Sequence, residues 1–167
     1  MIALRFTRRF SMAHRLISGA SKTCMTPHGH NELVIVDMVP RAARKLDGST
    51  NMVVEFSAAK KRWHRFVDQR LDHALQLSAT DPLLKVAETQ FPDWRLVVTP
   101  GDPTTELLTA LLASKCQAIL DHERTGLRVA RVELQETPTN TVVLEGDPRE
   151  LLPPGQGWWT RPDETTR

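Results

Sequence analysis

The order of elements along the chain predicts an α+β protein, an antiparallel sheet covered by helices. Two strand segments, the first of them clearly alternating, open the chain and two more close it. Between them lie stretches whose apolar residues recur at the helical period. At 167 residues the chain is one domain by length, of a size that hides roughly 70% of its unfolded surface. It has no internal repeat and no linker between two halves.

Ile2, Leu4, Phe6, Phe10 and Met12 share one parity and Ala3, Arg5, Thr7 and Arg9 the other, which predicts a strand with one buried face. Residues 17–27 read as a loop from their Gly, Ser, Thr and Pro content. A second strand is expected over 28–39, and Leu46, Asp47, Gly48 and Ser49 form a turn signal. Ser57 is placed to cap a helix carrying Trp63, Phe66, Val67, Arg70 and Leu71. Asp81 and Pro82 begin a shorter helix as cap and first helical residue. Residues 95–99 resemble a short extra strand. Asp102 and Pro103 open a helix with Leu108, Leu111, Leu112 and Ile119, and Gly126 is positioned to terminate it. Strands over 127–136 and 140–145, joined at Pro138, complete a domain of residues 1–147. Residues 148–167 are rich in Pro and Gly and carry Trp158 and Trp159; they are expected to be a tail that packs on a surface or frays.

Composition narrows the function classes. Lys and Arg number 22 against 20 Asp and Glu, a net charge of +2 that provides no drive toward nucleic acid. No apolar run approaches the ~20 residues that span a bilayer. Arginines at 5, 8 and 9 interrupt any signal-peptide core, so a cytoplasmic location is expected. Two cysteines make no disulfide framework, and Cys116, in an apolar helical stretch, reads as an inert core residue.

The chemistry-bearing residues cluster. His28 and His30 are two apart at the start of a strand and point to one face. His14 ends the first strand on the parity of Phe10 and Met12, where a neighbouring antiparallel strand can bring it beside them. Three imidazoles on a pleated surface suit zinc with an open fourth position; the alternative is three polar residues satisfied locally. Cys24 is a fourth ligand, an activated thiolate or an ordinary loop cysteine. Asp72 and His73 are an oriented acid/base pair or a solvated helix end. Glu136 follows Ala130, Val132 and Leu134 on one strand face, where a carboxylate needs a partner: the donor edge of a guanidinium-like ligand, or an arginine of the protein. Thr104, Thr105 and Glu106 sit at a helix start, as a ligand site or as simple capping.

Together these residues resemble the 6-pyruvoyl-tetrahydropterin synthase superfamily. Phe10-Ser11-Met12-Ala13-His14-Arg15-Leu16 is similar to its first histidine motif, and Cys24 followed by His28-Gly29-His30-Asn31 to its cysteine and HGH motif. Leu71-Asp72-His73, Pro103-Thr104-Thr105-Glu106 and Gln135-Glu136-Thr137 follow in the family's order, and the resemblance covers residues 1 to about 145. Three residues between cysteine and HGH are like the bacterial 6-carboxytetrahydropterin synthase branch, which serves queuosine and other deazapurine pathways. The pyruvoyl-forming branch has a longer gap, and a branch that releases a hydroxymethylpterin lacks the cysteine. Three departures stand out: Glu55-Phe56 where the family commonly has Asp-Phe, a longer segment over 78–100, and the tail.

The resemblance implies the tunnelling fold, an antiparallel four-stranded sheet with two main helices on one face. Subunits would pair sheets edge to edge into a β-barrel, as a trimer or dimer of trimers, with active sites between subunits. It implies 7,8-dihydroneopterin triphosphate as substrate and a carbon–oxygen lyase reaction yielding 6-carboxytetrahydropterin, acetaldehyde and triphosphate. Zinc would be held by His14, His28 and His30. Cys24 would be the general base, with Asp72 and His73 of a neighbouring subunit relaying the proton. Glu136 would hold the pterin edge, with Thr104, Thr105 and Glu106 in the substrate site. Arg8, Arg9, Arg15 and Lys22 are candidates to meet the triphosphate or are solvated surface. Formation of a 6-pyruvoyl product, or pterin or zinc binding without turnover, are the alternatives.

Overall fold

The computed structural model describes residues 2–18, 21–43 and 45–167. The loop expected over 17–27 includes Gly19 and Ala20, which lie outside the described residues. Strand β1 spans Leu4–His14 and is followed by one helical turn, α1 (Lys22–Met25), and strand β2 (His28–Pro40). Helix α2 (Phe56–Phe66) continues into a π-helical segment, Val67–Leu71, then strand β3 (Ala74–Ser78), helix α3 (Pro82–Gln90) and strand β4 (Leu96–Thr99). Helix α4 (Thr105–His122) and strands β5 (Leu127–Thr137) and β6 (Asn140–Glu145) follow.

The α+β class holds, but the sheet has six strands, in the order β4-β3-β1-β2-β5-β6, and is mixed. β1, β2, β5 and β6 are the antiparallel part; β1 pairs with β3, and β3 with β4, in parallel. The expectation of four antiparallel strands missed β3 altogether. In β3 all residues except Leu75 are buried, so the segment lacks the one-face alternation that marks a half-exposed strand. No Gly or Pro separates it from the preceding helix. The chain turns instead at His73, whose φ is +60°.

Alternation in β1 is as read: Leu4, Phe6, Phe10, Met12 and His14 are buried. They face Val34, Val36 and Met38 of β2 and Val132 and Leu134 of β5 in one apolar layer. α2 and α4 cover that layer with Trp63, Phe66, Leu108, Leu111, Leu112 and Ile119. Cys116 is fully buried within α4, and burial pushes its thiol pKa up. Asp81 caps α3 by accepting from the Leu83 N–H at 2.8 Å, with Pro82 next, as the dipeptide predicts. Ser57 does not cap α2. The cap position is Glu55, which makes no side-chain cap bond, and Ser57 Oγ donates to the Glu55 carboxylate instead. Cys24 sits in α1, whose cap Ser21 accepts from the Cys24 N–H at 3.3 Å. Gly126 has φ +72° and lies beyond the end of α4 at His122.

Residues 158–166 are packed against the domain. Trp158 is 1% exposed; its Nε1–H donates to Val98 O at 2.8 Å and its ring stacks 6.0 Å from Phe66. Lys115, 0% exposed in α4, holds the segment from below. Its ammonium donates to the carbonyls of Trp158 and Arg161, both at 2.9 Å, and of Asp163 at 2.5 Å. Burial pushes its pKa down to about 8, with the Asp163 carboxylate opposing. Thr166 then closes on β4, its carbonyl accepting from Val98 N–H at 2.9 Å and its Oγ1 donating to Leu96 O at 2.8 Å. Lys115→Ala leaves three carbonyls with one donor fewer and should cost about 3 kcal/mol. Thermal melts should show Tm lowered by roughly 6–12 °C, and limited proteolysis should release the tail first. A Tm within about 2 °C of wild type would place the holding force in the tryptophans instead.

Candidate active site

Antiparallel pairing sets His14 opposite His28 and Met12 opposite His30, which puts all three imidazoles on the helix-covered face. One ring nitrogen from each lies within 4.8 Å of the others. Gly29 between them permits the close approach of β2 to β1, since a Cβ there would meet Met12 O at 3.2 Å. His14 Nδ1–H donates to Pro103 O at 2.9 Å, and His28 Nδ1–H to Thr26 O at 2.8 Å. Both bonds leave the Nε2 lone pairs free, and the two Nε2 atoms face each other at 3.1 Å. Two bare lone pairs at that distance repel unless a cation or a proton lies between them. Backbone carbonyls behind imidazoles are also the usual outer support of a metal ligand. Burial lowers the pKa of His14, with the neighbouring histidines adding to the effect and the Pro103 bond opposing it. The donor set fits a metal ion.

Glu136 ends the apolar face of β5 and adjoins this cluster: its Oε1 is 4.0 Å from Nε2 of both His14 and His30. Thr105 Oγ1 donates to the same oxygen at 2.7 Å. No arginine reaches Glu136 in the described residues, so the second partner considered for it, an arginine of the protein, is not what the fold provides; its neighbours are His14, His30 and Thr105. Thr104 is the N-cap of α4, its Oγ1 accepting from the Leu107 N–H at 3.3 Å, and Glu106 is exposed in the first turn. Cys24 is half-buried with Ser21 Oγ donating to its Sγ at 3.2 Å. Its sulfur is not part of the three-histidine group.

Asp72 and His73 lie elsewhere. The π-helical segment ends at Leu71, and the Asp72 N–H returns to Val67 O at 3.0 Å. His73 N–H donates to Ser11 O at 2.7 Å, which sets it level with Ser11 on the sheet face opposite the triad. Asp72 accepts from the Ser11 N–H at 2.8 Å and from His73 Nδ1–H at 2.9 Å. Burial pushes the Asp72 pKa up, but these two bonds, His73 and Arg95 outweigh it and hold the carboxyl below its ordinary range. The pair opens into a cleft of about 950 Å³ also lined by Ser11, Gly29, His30, Asn31 and Trp94. Within one chain the structure therefore does not bring the pair to the triad face.

Of the four cations considered for triphosphate, two are neutralised. Arg8 grips Asp68 with both bonds at 2.6 Å, and Arg15 grips the fully buried side chain of Asp81 at 2.7 and 2.6 Å. Arg9 and Lys22 are exposed. Sequence reasoning also missed two buried polar side chains on the triad's face. Glu32, 4% exposed, follows His28 and His30 at the same strand period and has an oxygen without a hydrogen-bond partner. Burial, with Glu136 adding, raises its pKa to about 8. The period-two run His28, His30, Glu32 was the signal that could have found it. Gln76, level with His14 across β1 and β3, has an unpartnered Nε2; it lies in the unrecognised strand, and no signal pointed to it.

Comparison with known proteins places this arrangement. No curated protein matches the chain. Its fold is similar to that of an uncharacterized protein from Wolinella succinogenes, with TM-score 0.66, 21% identity, and coverage of 88% of this chain and 100% of that one. It is also similar to 6-pyruvoyl tetrahydropterin synthase from Caenorhabditis elegans (TM-score 0.58, 21% identity, 87% and 96% covered). The Plasmodium vivax 6-pyruvoyl tetrahydropterin synthase has TM-score 0.57 at 16% identity, with 88% and 99% covered. A family model described as 6-pyruvoyl tetrahydropterin synthase matches residues 3–147, the span that holds every residue of the two sites above, and the chain belongs to that family.

Proposed function

We propose that the protein is a zinc-dependent 6-carboxy-5,6,7,8-tetrahydropterin synthase acting on 7,8-dihydroneopterin triphosphate, with release of acetaldehyde and triphosphate. The observation that carries this reading is the pair of bare Nε2 atoms of His14 and His28, 3.1 Å apart beside His30 and Glu136. The family fold supports a tetrahydropterin-synthase-like function. The three-residue interval between Cys24 and His28 supports the carboxy branch over the pyruvoyl one.

Zinc on the three imidazoles would act as a Lewis acid toward the substrate's side-chain oxygens, easing loss of a proton from the adjacent carbon. Cys24, whose sulfur lies outside the three-histidine group, would serve as the base. Glu136, aligned by Thr105, offers two acceptor oxygens to the N–H groups of the pterin's guanidine-like edge. Asp72 fixes His73 through its Nδ1–H and leaves Nε2 free to accept or donate a proton. Arg9 and Lys22 are the unneutralised cations for triphosphate.

The opposite-face placement of the pair and the triad supports a homo-oligomer in which one copy supplies the triad and another the pair. Strand edges support it as well. β3 pairs only with Met12, Ala13 and His14 of β1, so residues 4–11 have no strand neighbour on that side among the described residues. β6 is the other open edge. No helix of the described residues is long and apolar enough to cross a membrane.

Elemental analysis should find about one zinc per chain in the wild type and none retained in His28→Ala. Cys24→Ala should keep its zinc while turnover to acetaldehyde falls about 10²–10⁴-fold; loss of zinc together with activity would make Cys24 a structural ligand. The shared site has its own test. Cys24→Ala and His73→Ala should each be inactive alone. Co-expressed, they should recover activity at about a quarter of the sites if copies mix at random. No recovery in verified mixed oligomers would place both groups in one chain's site.

A further inference from the structure

Glu32 has no role in the reading above, yet it is the most conspicuous polar group on the triad's face. It stands opposite Phe10 on β1, and the β2–β5 register that sets Leu33 against Gln135 brings it level with Glu136. Its side chain is buried, and its Oε2 has no hydrogen-bond partner. Its lateral neighbour on β1, Phe10, is apolar and offers it no donor. A buried acceptor left unpaired is costly, and such groups are rare where nothing arrives to satisfy them. The apolar alternative was open to the strand, since the next positions on the same face are Val34 and Val36.

We infer that Glu32 is a second ligand-recognising carboxyl, which accepts a hydrogen bond from the same donor-rich heterocycle edge that Glu136 engages. This rests on the proposed pterin site and adds to it a contact made by this chain's own side chain. A guanidine-like edge carries more N–H donors than one carboxylate can take, and two carboxyls side by side on adjacent strands can divide them. In either charge state Glu32 keeps an acceptor oxygen. An aliphatic side chain at 32 would complete the apolar core and stabilise the free protein, so binding and stability should move in opposite directions.

The test is titration of sepiapterin, a non-reactive pterin, against wild type, Glu32→Leu, Glu32→Gln and Glu136→Gln, with thermal melts of each. Glu32→Leu should weaken binding at least about tenfold while its Tm stays equal or rises. Glu32→Gln, which retains an oxygen acceptor, should recover most of the affinity. If Glu32→Leu does not fold, Glu32→Met takes its place. Full affinity in Glu32→Leu with weakened binding in Glu136→Gln would overturn this inference and leave the pterin site standing. Weaker binding accompanied by a lower Tm would make Glu32 a structural residue and also overturn it. If wild type binds no pterin, the proposed function falls and takes this inference with it.

Discussion

The antiparallel register of β1 on β2, from Leu4 opposite Met38 to His14 opposite His28, decides both what the core contains and what the site contains. Side chains in a strand alternate, so a slip of one residue would turn the whole set over. The apolar rows resist that slip, because each of Phe6, Phe10, Val34 and Val36 contributes roughly 1.5–3 kcal/mol by its burial. The polar rows lie farther along the same two strands and have no such preference. His14, His28, His30 and Glu32 crowd lone pairs and carboxyl oxygens onto one surface, an arrangement that a free polar surface would relax. They are held there because the apolar half of the ladder cannot move.

The second consequence of the ladder is a division between faces. Groups suited to holding a cation and a donor-rich heterocycle lie under α2 and α4, whereas the Asp72–His73 pair sits with Ser11 at the opposite face, in a cleft that His30 also lines. The pair is itself expensive to hold. His73 adopts a positive φ, which a residue with a Cβ seldom tolerates without support. That support comes from Ser11, which binds His73 through its carbonyl and Asp72 through its N–H, so the same strand orients both faces.

The sequence was most legible where one physical signal acted alone. Alternation revealed β1, parity revealed the buried face of β5, and the Asp81-Pro82 dipeptide revealed the start of α3. The triad was legible because strand parity is a local property. It failed where partners are distant. Arg8 and Arg15 read as free cations, but the aspartates that neutralise them lie 60 and 66 residues away. β3 was hidden because burial on both faces erases alternation. Ser57 lost the cap position because α2 begins one residue before it, at Phe56. The tail's Pro and Gly content left packing and fraying both open, because composition cannot register a single buried lysine reaching three of its carbonyls.

The π-helical segment has a consequence for how this chain can vary. A π turn is an α-helix with one residue too many, and here the surplus falls just before Asp72. Deleting any one residue of 67–71 would let α2 run on as a regular helix and would relieve the wide turn. It would also carry Asp72 backward by about 100° around the helix axis, away from the Ser11 N–H. Point substitutions in this stretch must preserve the buried Val67 and Leu71 and the Asp68 carboxylate that Arg8 grips, but its length is under a stricter constraint than its composition. Across diverging copies of this gene, the stretch between Phe66 and Asp72 should accumulate exchanges and no gaps.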